Sequence, residues 1–89
     1  MNFIAIIGIV DQLIKMQESD STVVKIKVEK PFIENQDDEW YDLVDVKLDK
    51  NIFKKELNLI STGSLVGIKG RIKMDNNYMH LVGERLQVF

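Results

Sequence analysis

The chain contains no cysteine. That excludes disulfides, a thiolate nucleophile and cysteine-ligated zinc, and it fits a reducing compartment. There is one histidine, His80, and no thiol to pair with it. His80 lies in an alternating strand with Tyr78 and Val82 and reads as a surface residue rather than a base. Glycine is sparse: Gly63, Gly67 and Gly70 are a stop and two strand positions, so no phosphate-cradling loop is present. The acids from Asp37 to Glu39 lack the fixed glycine and spaced oxygens of a calcium loop. The longest apolar run, Phe3–Val10, is too short to span a bilayer. It also has neither the basic leader nor the cleavage site of a signal peptide. The expectation is a protein with no catalytic residue, no metal site, no cofactor, no membrane partner and a cytoplasmic location. No internal repeat or low-complexity tract is visible.

What is present is ordinary globular composition. The chain has 89 residues, 45% hydrophobic and 29% charged, which sets one domain over residues 1–89. The net charge of −2 argues against binding a polyanion. Its distribution softens that. Glu34, Asp37, Asp38, Glu39, Asp42 and Asp45 lie in one stretch without Lys or Arg, and the remaining eight acids face twelve cations. The potential is therefore uneven over the surface.

The pattern is clearest from Ile60 to Met74. A helix end is followed by Gly63, placed where a helix C-terminus takes a residue of positive φ. Then Val66, Ile68, Gly70, Ile72 and Met74 alternate with Lys69, Arg71 and Lys73. A strand sends successive side chains to opposite faces, so one face is apolar and the other basic. The basic face is either a solvated surface or a track for a polyanion.

Elsewhere, Met1–Val10 is an apolar, nearly unalternated strand in which Gly8 marks a bulge or a close backbone approach. Phe3, Ala5, Ile7 and Ile9 share one face; Ile4, Ile6, Gly8 and Val10 share the other. A single barrel covers only one of them. Asp11–Thr22 is polar and reads as a turn with irregular structure. Val23–Lys30 alternates, with Val24, Ile26 and Val28 opposite Lys25, Lys27 and Glu29, and Pro31 ends it. Phe32–Glu39 is an acidic loop. Trp40–Leu48 is a third strand in which Leu43 falls out of phase, leaving room for a bulge. Asn51–Ile60 is a short helix capped by Asp49 or Asn51, with Phe53, Leu57 and Ile60 at helical spacing. Asp75-Asn76-Asn77 is a tight turn, and Tyr78–Phe89 is a last strand. Five strands with one short helix between the third and fourth is the layout of an all-β, five-stranded Greek-key OB-fold barrel. An SH3-like barrel fits the helix less well.

These segments resemble the bacterial single-stranded DNA-binding protein family. The matching stretches are Met1-Asn2 with Ile6-Ile7-Gly8, Val23–Val28, Glu39-Trp40, Leu59–Arg71 and Glu84–Phe89. The resemblance runs over nearly the whole chain and implies an OB-fold, single-stranded DNA as partner, and assembly into homodimers or homotetramers. It also implies roles in DNA replication, repair or recombination. The sequence departs from the family at Ile9, where a basic residue is frequent, and near Asp45 and Val46, where an aromatic is frequent. The last hairpin is cut to a tight turn. The family's acidic-tipped C-terminal tail, which recruits replication proteins, is absent from this sequence. The chain thus looks like a minimal or accessory relative.

Single-strand binding needs cations for the backbone and flat rings for the bases. The cations are Lys25, Lys27, Lys69, Arg71 and Lys73; the rings are Trp40, Tyr41 and Tyr78. Trp40 reads equally as a core anchor or a stacking platform. Phe3, Phe32, Phe53 and Phe89 read as core or interface. Phe3, Ile4, Ile6 and Ile7 are expected at an oligomer interface. The alternative is an OB-fold subunit that binds protein and has little nucleic-acid affinity, which the acidic loop and negative total favour.

Overall fold

Alternation decides which side of each strand points inward. Val24 and Ile26 on one strand, Val46 and Leu48 on the next, and Val66 and Ile68 on a third are fully buried, and the intervening charged residues face out. The structure, a computed structural model, describes all residues except Glu18, Ile33, Glu34 and 36–38. The order is β1 (Ile4–Lys15), β2 (Ser21–Glu29), β3 (Tyr41–Asp49), α1 (Lys54–Leu59), β4 (Leu65–Asp75) and β5 (Tyr78–Val88). The strands close into a barrel as β1-β2-β3-β5-β4. Neighbours are antiparallel except β3 and β5, which meet in parallel at Val46–Leu81 and Lys47–Val82. This is the five-stranded OB-fold with its helix between β3 and β4. The core of Val10, Val24, Ile26, Val46, Leu48, Val66 and Ile68 is extended by Phe53 and Ile60 at the two ends of the helical segment.

β1 is longer than the sequence suggests. It begins at Ile4 and continues through Asp11–Lys15, part of the polar Asp11–Thr22 stretch expected to be a turn, and its alternation breaks there. The break is a bulge: the register against β2 shifts between Val10 and Gln12, leaving Asp11 as the extra residue. The bulge lets β1 pair with β4 through Ile4–Ile9 and with β2 through Ile9–Lys15. Gly8 lies where these ladders cross, and a Cβ there would overlap the Lys27 carbonyl and the Ile26 side chain. Of its two expected roles, close approach is the one it fills. β3 carries no bulge against β2; the ladder is regular from Ser21–Asp49 to Glu29–Tyr41, and Leu43 simply faces outward.

The helix is shorter than the apolar spacing implies. Asn51–Phe53 is a turn, and Asp49 closes it by accepting the N–H groups of Asn51 at 2.8 Å and Ile52 at 3.0 Å. Phe53, the N-cap, has no side-chain capping bond. Gly63 has the expected positive φ of 96°, but the helix has ended at Leu59. The glycine belongs to a separate Ser61–Ser64 turn, held by Ser64 N–H to Ser61 O (3.0 Å) and Gly63 N–H to Val10 O (2.8 Å).

The β4–β5 hairpin runs past the barrel. β1 stops pairing with β4 at Gly70, and β3 meets β5 only at Leu81 and Val82. Beyond those points Lys73–Asp75 and Tyr78–His80 pair only with each other, forming with Arg71 and Ile72 at its base a two-stranded arm. Its turn is tight as expected, with Asn76 and Asn77 both at positive φ. Ile72 and Met74, on the apolar face of the β4 pattern, are exposed because β1 stops short of them. Asn2 ties the arm's base to the chain start, accepting the Ile72 N–H at 2.7 Å and donating to the Ile72 carbonyl. Among the described residues no helix is long and apolar enough to cross a membrane.

Candidate nucleic-acid interface

The outward residues of the strands divide into three surfaces, set by register. On β2 and β3, Lys25 faces Asp45, Lys27 faces Leu43 and Glu29 faces Tyr41. Here the cations are largely answered. Lys27 is 3.5 Å from Asp11, the bulge residue, and Lys30 is 3.8 Å from Asp42. Lys25 lies directly across from a carboxylate. This surface carries the expected lysines but little net charge.

The second surface lies between the arm and β3. Lys47 on β3 neighbours Val82 on β5, which neighbours Arg71 on β4; one step further out Lys73 faces His80, and then Asp75 faces Tyr78. Arg71, Lys73, Tyr78 and His80 therefore share one face of the arm. A cleft is lined by Lys47, Arg71, Lys73, His80, Val82, Ser21, Asp49 and Asp75. Asp49 is occupied by the turn before α1, and Glu84 stands 3.7 Å from Arg71. Among the described residues Lys47 and Lys73 have no ion-pair partner. Lys47 and His80 belong to this cleft and are absent from the sequence-based set. Lys47 alternates outward between Val46 and Leu48, a signal on β3 that points to it.

The basic stripe of β4 is not one continuous track. Arg71 and Lys73 line the arm cleft, whereas Lys69 lines a different cleft with Arg85, Gln87 and Phe89. A bulge in β5, with Glu84 as its extra residue, separates them.

The three candidate rings are all outside the core. Trp40 is 62% exposed, just before β3, and its carbonyl accepts the Lys30 N–H at 2.8 Å. Tyr41 faces outward on β3, and Tyr78 is 72% exposed at the arm tip. Of the phenylalanines, Phe53 is in the core; Phe3, Phe32 and Phe89 are exposed.

The oligomer candidates also split. Phe3 and Ile7 are exposed on the outer face of β1 with Ala5 and Ile9, and the chain's own helix does not cover them. Ile4 and Ile6 are half-buried on the inward side, where Ile6 packs against the core. They are therefore barrel residues, and the outer surface is carried by Phe3 and Ile7. Among the described residues no cluster of His, Asp or Glu is placed to hold a metal ion. Asp37 and Asp38 of the acidic loop lie outside the described residues.

No protein-family model matches the chain, and no curated protein matches it. Solved structures do resemble it. The dimeric N-terminal domain of PriB from Thermoanaerobacter tencongensis aligns over 99% of this chain and 96% of its own, with a TM-score of 0.74 at 18% identity. A small single-stranded DNA-binding protein from Mycoplasma pneumoniae aligns over 98% and 92%, with a TM-score of 0.71 at 11% identity. A chain of the S. pombe Stn1-Ten1 complex is matched over 100% of this chain but only 59% of its own length, with a TM-score of 0.70 at 13% identity. At such identities the likeness establishes the fold: an OB-fold barrel of the kind found in small bacterial single-stranded DNA-binding proteins.

Proposed function

We propose that residues 1–89 act as one OB-fold domain that binds single-stranded DNA without strong sequence preference, as a homo-oligomer and a minimal relative of the bacterial single-strand binders. The observation that carries this is the arm cleft, where Lys47, Arg71, Lys73 and His80 line one surface beside the exposed Tyr78. Trp40 and Tyr41 supply further exposed rings. Backbone cations beside stacking rings are the two parts that such binding needs. The fold likeness to proteins described as single-stranded DNA-binding supports the reading. On it, the protein is non-enzymatic and cytoplasmic and serves replication, repair or recombination alongside replication proteins.

The experiment is fluorescence anisotropy with labelled oligo-dT over a salt series, beside a duplex control. The expected result is salt-sensitive binding that prefers the single strand. No anisotropy change at low salt, with unchanged Trp40 fluorescence, would rule it out. A second reading, an OB-fold subunit that binds protein, is favoured by the ion pairs that neutralise Lys27 and Lys30. It predicts that null result.

A further inference from the structure

One described ladder pair sets two permanent like charges against each other: Lys69 on β4 faces Arg85 on β5. Like charges directly opposite on a sheet repel and destabilise it. Elsewhere, among the described residues, four cations meet carboxylates, at Lys27–Asp11, Lys30–Asp42, Lys50–Asp20 and Arg71–Glu84. Among the described residues neither Lys69 nor Arg85 has an ion-pair partner. The nearest acid in sequence, Glu84, turns to Arg71 instead. Both side chains are exposed, so the pair is open to an anion that meets the two cations together.

The pair stands at the end of a shallow cleft on the outer face of β1, β4 and β5. Ala5, Lys69 and Arg85 form one row across that face; Ile7, Gly67 and Gln87 form the next. Gly67 makes the hollow, and the Phe89 ring lies over it: a Cβ there would stand 3.2 Å from Phe89 Cε2 and 3.4 Å from Cζ. The Phe89 N–H donates to the Leu65 carbonyl at 3.1 Å, which fixes the backbone beneath the ring. The cleft holds about 350 Å³, at the small end of ligand sites, so it suits one nucleotide rather than a longer segment. The exposed Phe89 ring, seated on Gly67, suits a base, and two adjacent cations suit its phosphate.

We propose that this cleft is a second single-strand contact, in which Lys69 and Arg85 hold one phosphate and the base stacks on the exposed Phe89 ring. The proposal rests on the single-strand reading above and extends it to a surface that shares no lining residue with the arm cleft. Strands long enough to reach both surfaces use both.

The test compares wild type, K69E/R85E and the arm variant R71E/K73E. Amide shifts are followed on titration with thymidine monophosphate, and anisotropy with labelled dT35 over a salt series. Thymidine monophosphate is expected to move the Gly67, Lys69 and Arg85 amides of wild type and of the arm variant. K69E/R85E is expected to bind dT35 at least about five-fold more weakly, with a salt slope smaller by roughly 0.7 for each phosphate the variant no longer neutralises. K69Q/R85Q serves if charge reversal prevents folding. If K69E/R85E matches wild type in dT35 affinity and slope, the cleft proposal falls and the single-strand reading stands. If the arm variant keeps full dT35 binding while K69E/R85E loses it, the arm assignment falls and the cleft stands. A change of oligomeric mass in K69E/R85E with unchanged dT35 binding also overturns the proposal, because the pair then acts between copies.

Discussion

Arg71 is held 3.7 Å from Glu84, and both side chains are about half exposed. Such a surface pair is worth roughly 0.2–1 kcal/mol, so breaking it barely affects folding. It does affect what Arg71 offers a phosphate. Glu84→Gln should tighten oligo-dT binding several-fold while changing stability by under about 1 kcal/mol. Arg71→Glu should weaken binding and flatten its salt dependence, because fewer counterions are released. Anisotropy beside urea denaturation checks both, and a Glu84→Gln protein that binds no tighter argues against the arm cleft. The rings give a separate measure. A stacked base is worth roughly 1–3 kcal/mol, or about 5- to 150-fold in affinity. Trp40→Ala and Tyr78→Ala should each fall in that range if its ring stacks. For Trp40 the sequence leaves core anchor and platform open, because an aromatic beside a barrel strand fits both. Its position one residue before Tyr41, outside the ladder, puts it in solvent. That placement depends on where β3 begins, which no local pattern specifies.

At the scale of elements, the arm and the β1 crossing make the clearest demands. Deleting Lys73, Met74, Met79 and His80 removes two cross-strand pairs and keeps the Asn76-Asn77 turn and the alternation of faces. Those residues pair only within the arm, so the barrel should melt within a few degrees of wild type while oligo-dT affinity drops. Gly8 is the converse. A Cβ there meets the Lys27 backbone, which cannot turn aside as a side chain does. Gly8→Ala should therefore cost about 1–3 kcal/mol, read as a lower urea midpoint. The strand pattern, the β3–helix–β4 order and the final turn were legible because each rests on local alternation or a positive-φ residue. The bulge at Asp11 was not, since a bulge looks like lost periodicity until the partner strand is known. The arm was not either. Ile72 and Met74 continue the apolar phase of Val66 and Ile68, and only the place where β1 ends removes their cover. The same limit hid the division of the β4 stripe, which follows from a bulge on the neighbouring strand.

For the whole molecule, β1 is the strand left incomplete. Its outer face shows Phe3 at 61% and Ile7 at 65% exposure, with Ile9 and Leu65 beside them. Covering each large side chain stabilises by about 1.5–3 kcal/mol, so a bare face of this kind usually marks an interface. Among the described residues its edge is open as well. Through Ile4–Gly8, β1 pairs with β4 on one side, and β2 joins on the other only from Ile9. An unpaired strand edge is a template for another strand. A second copy paired edge to edge about a two-fold axis satisfies those backbone groups and sets the two Phe3 and Ile7 faces side by side. Ile4 and Ile6, turned inward, keep their places in each barrel. Such a dimer also brings two arm clefts onto one assembly, giving a strand more cations than either chain offers alone. Light scattering at micromolar concentration should therefore give a mass of at least two chains. Ile7→Lys should reduce it to one, because a charge on that face opposes its own copy across the two-fold axis. The same variant should leave the barrel folded, since Ile7 lies outside the core. A wild-type mass of one chain would remove the dimer, and with it the pairing of the arm clefts.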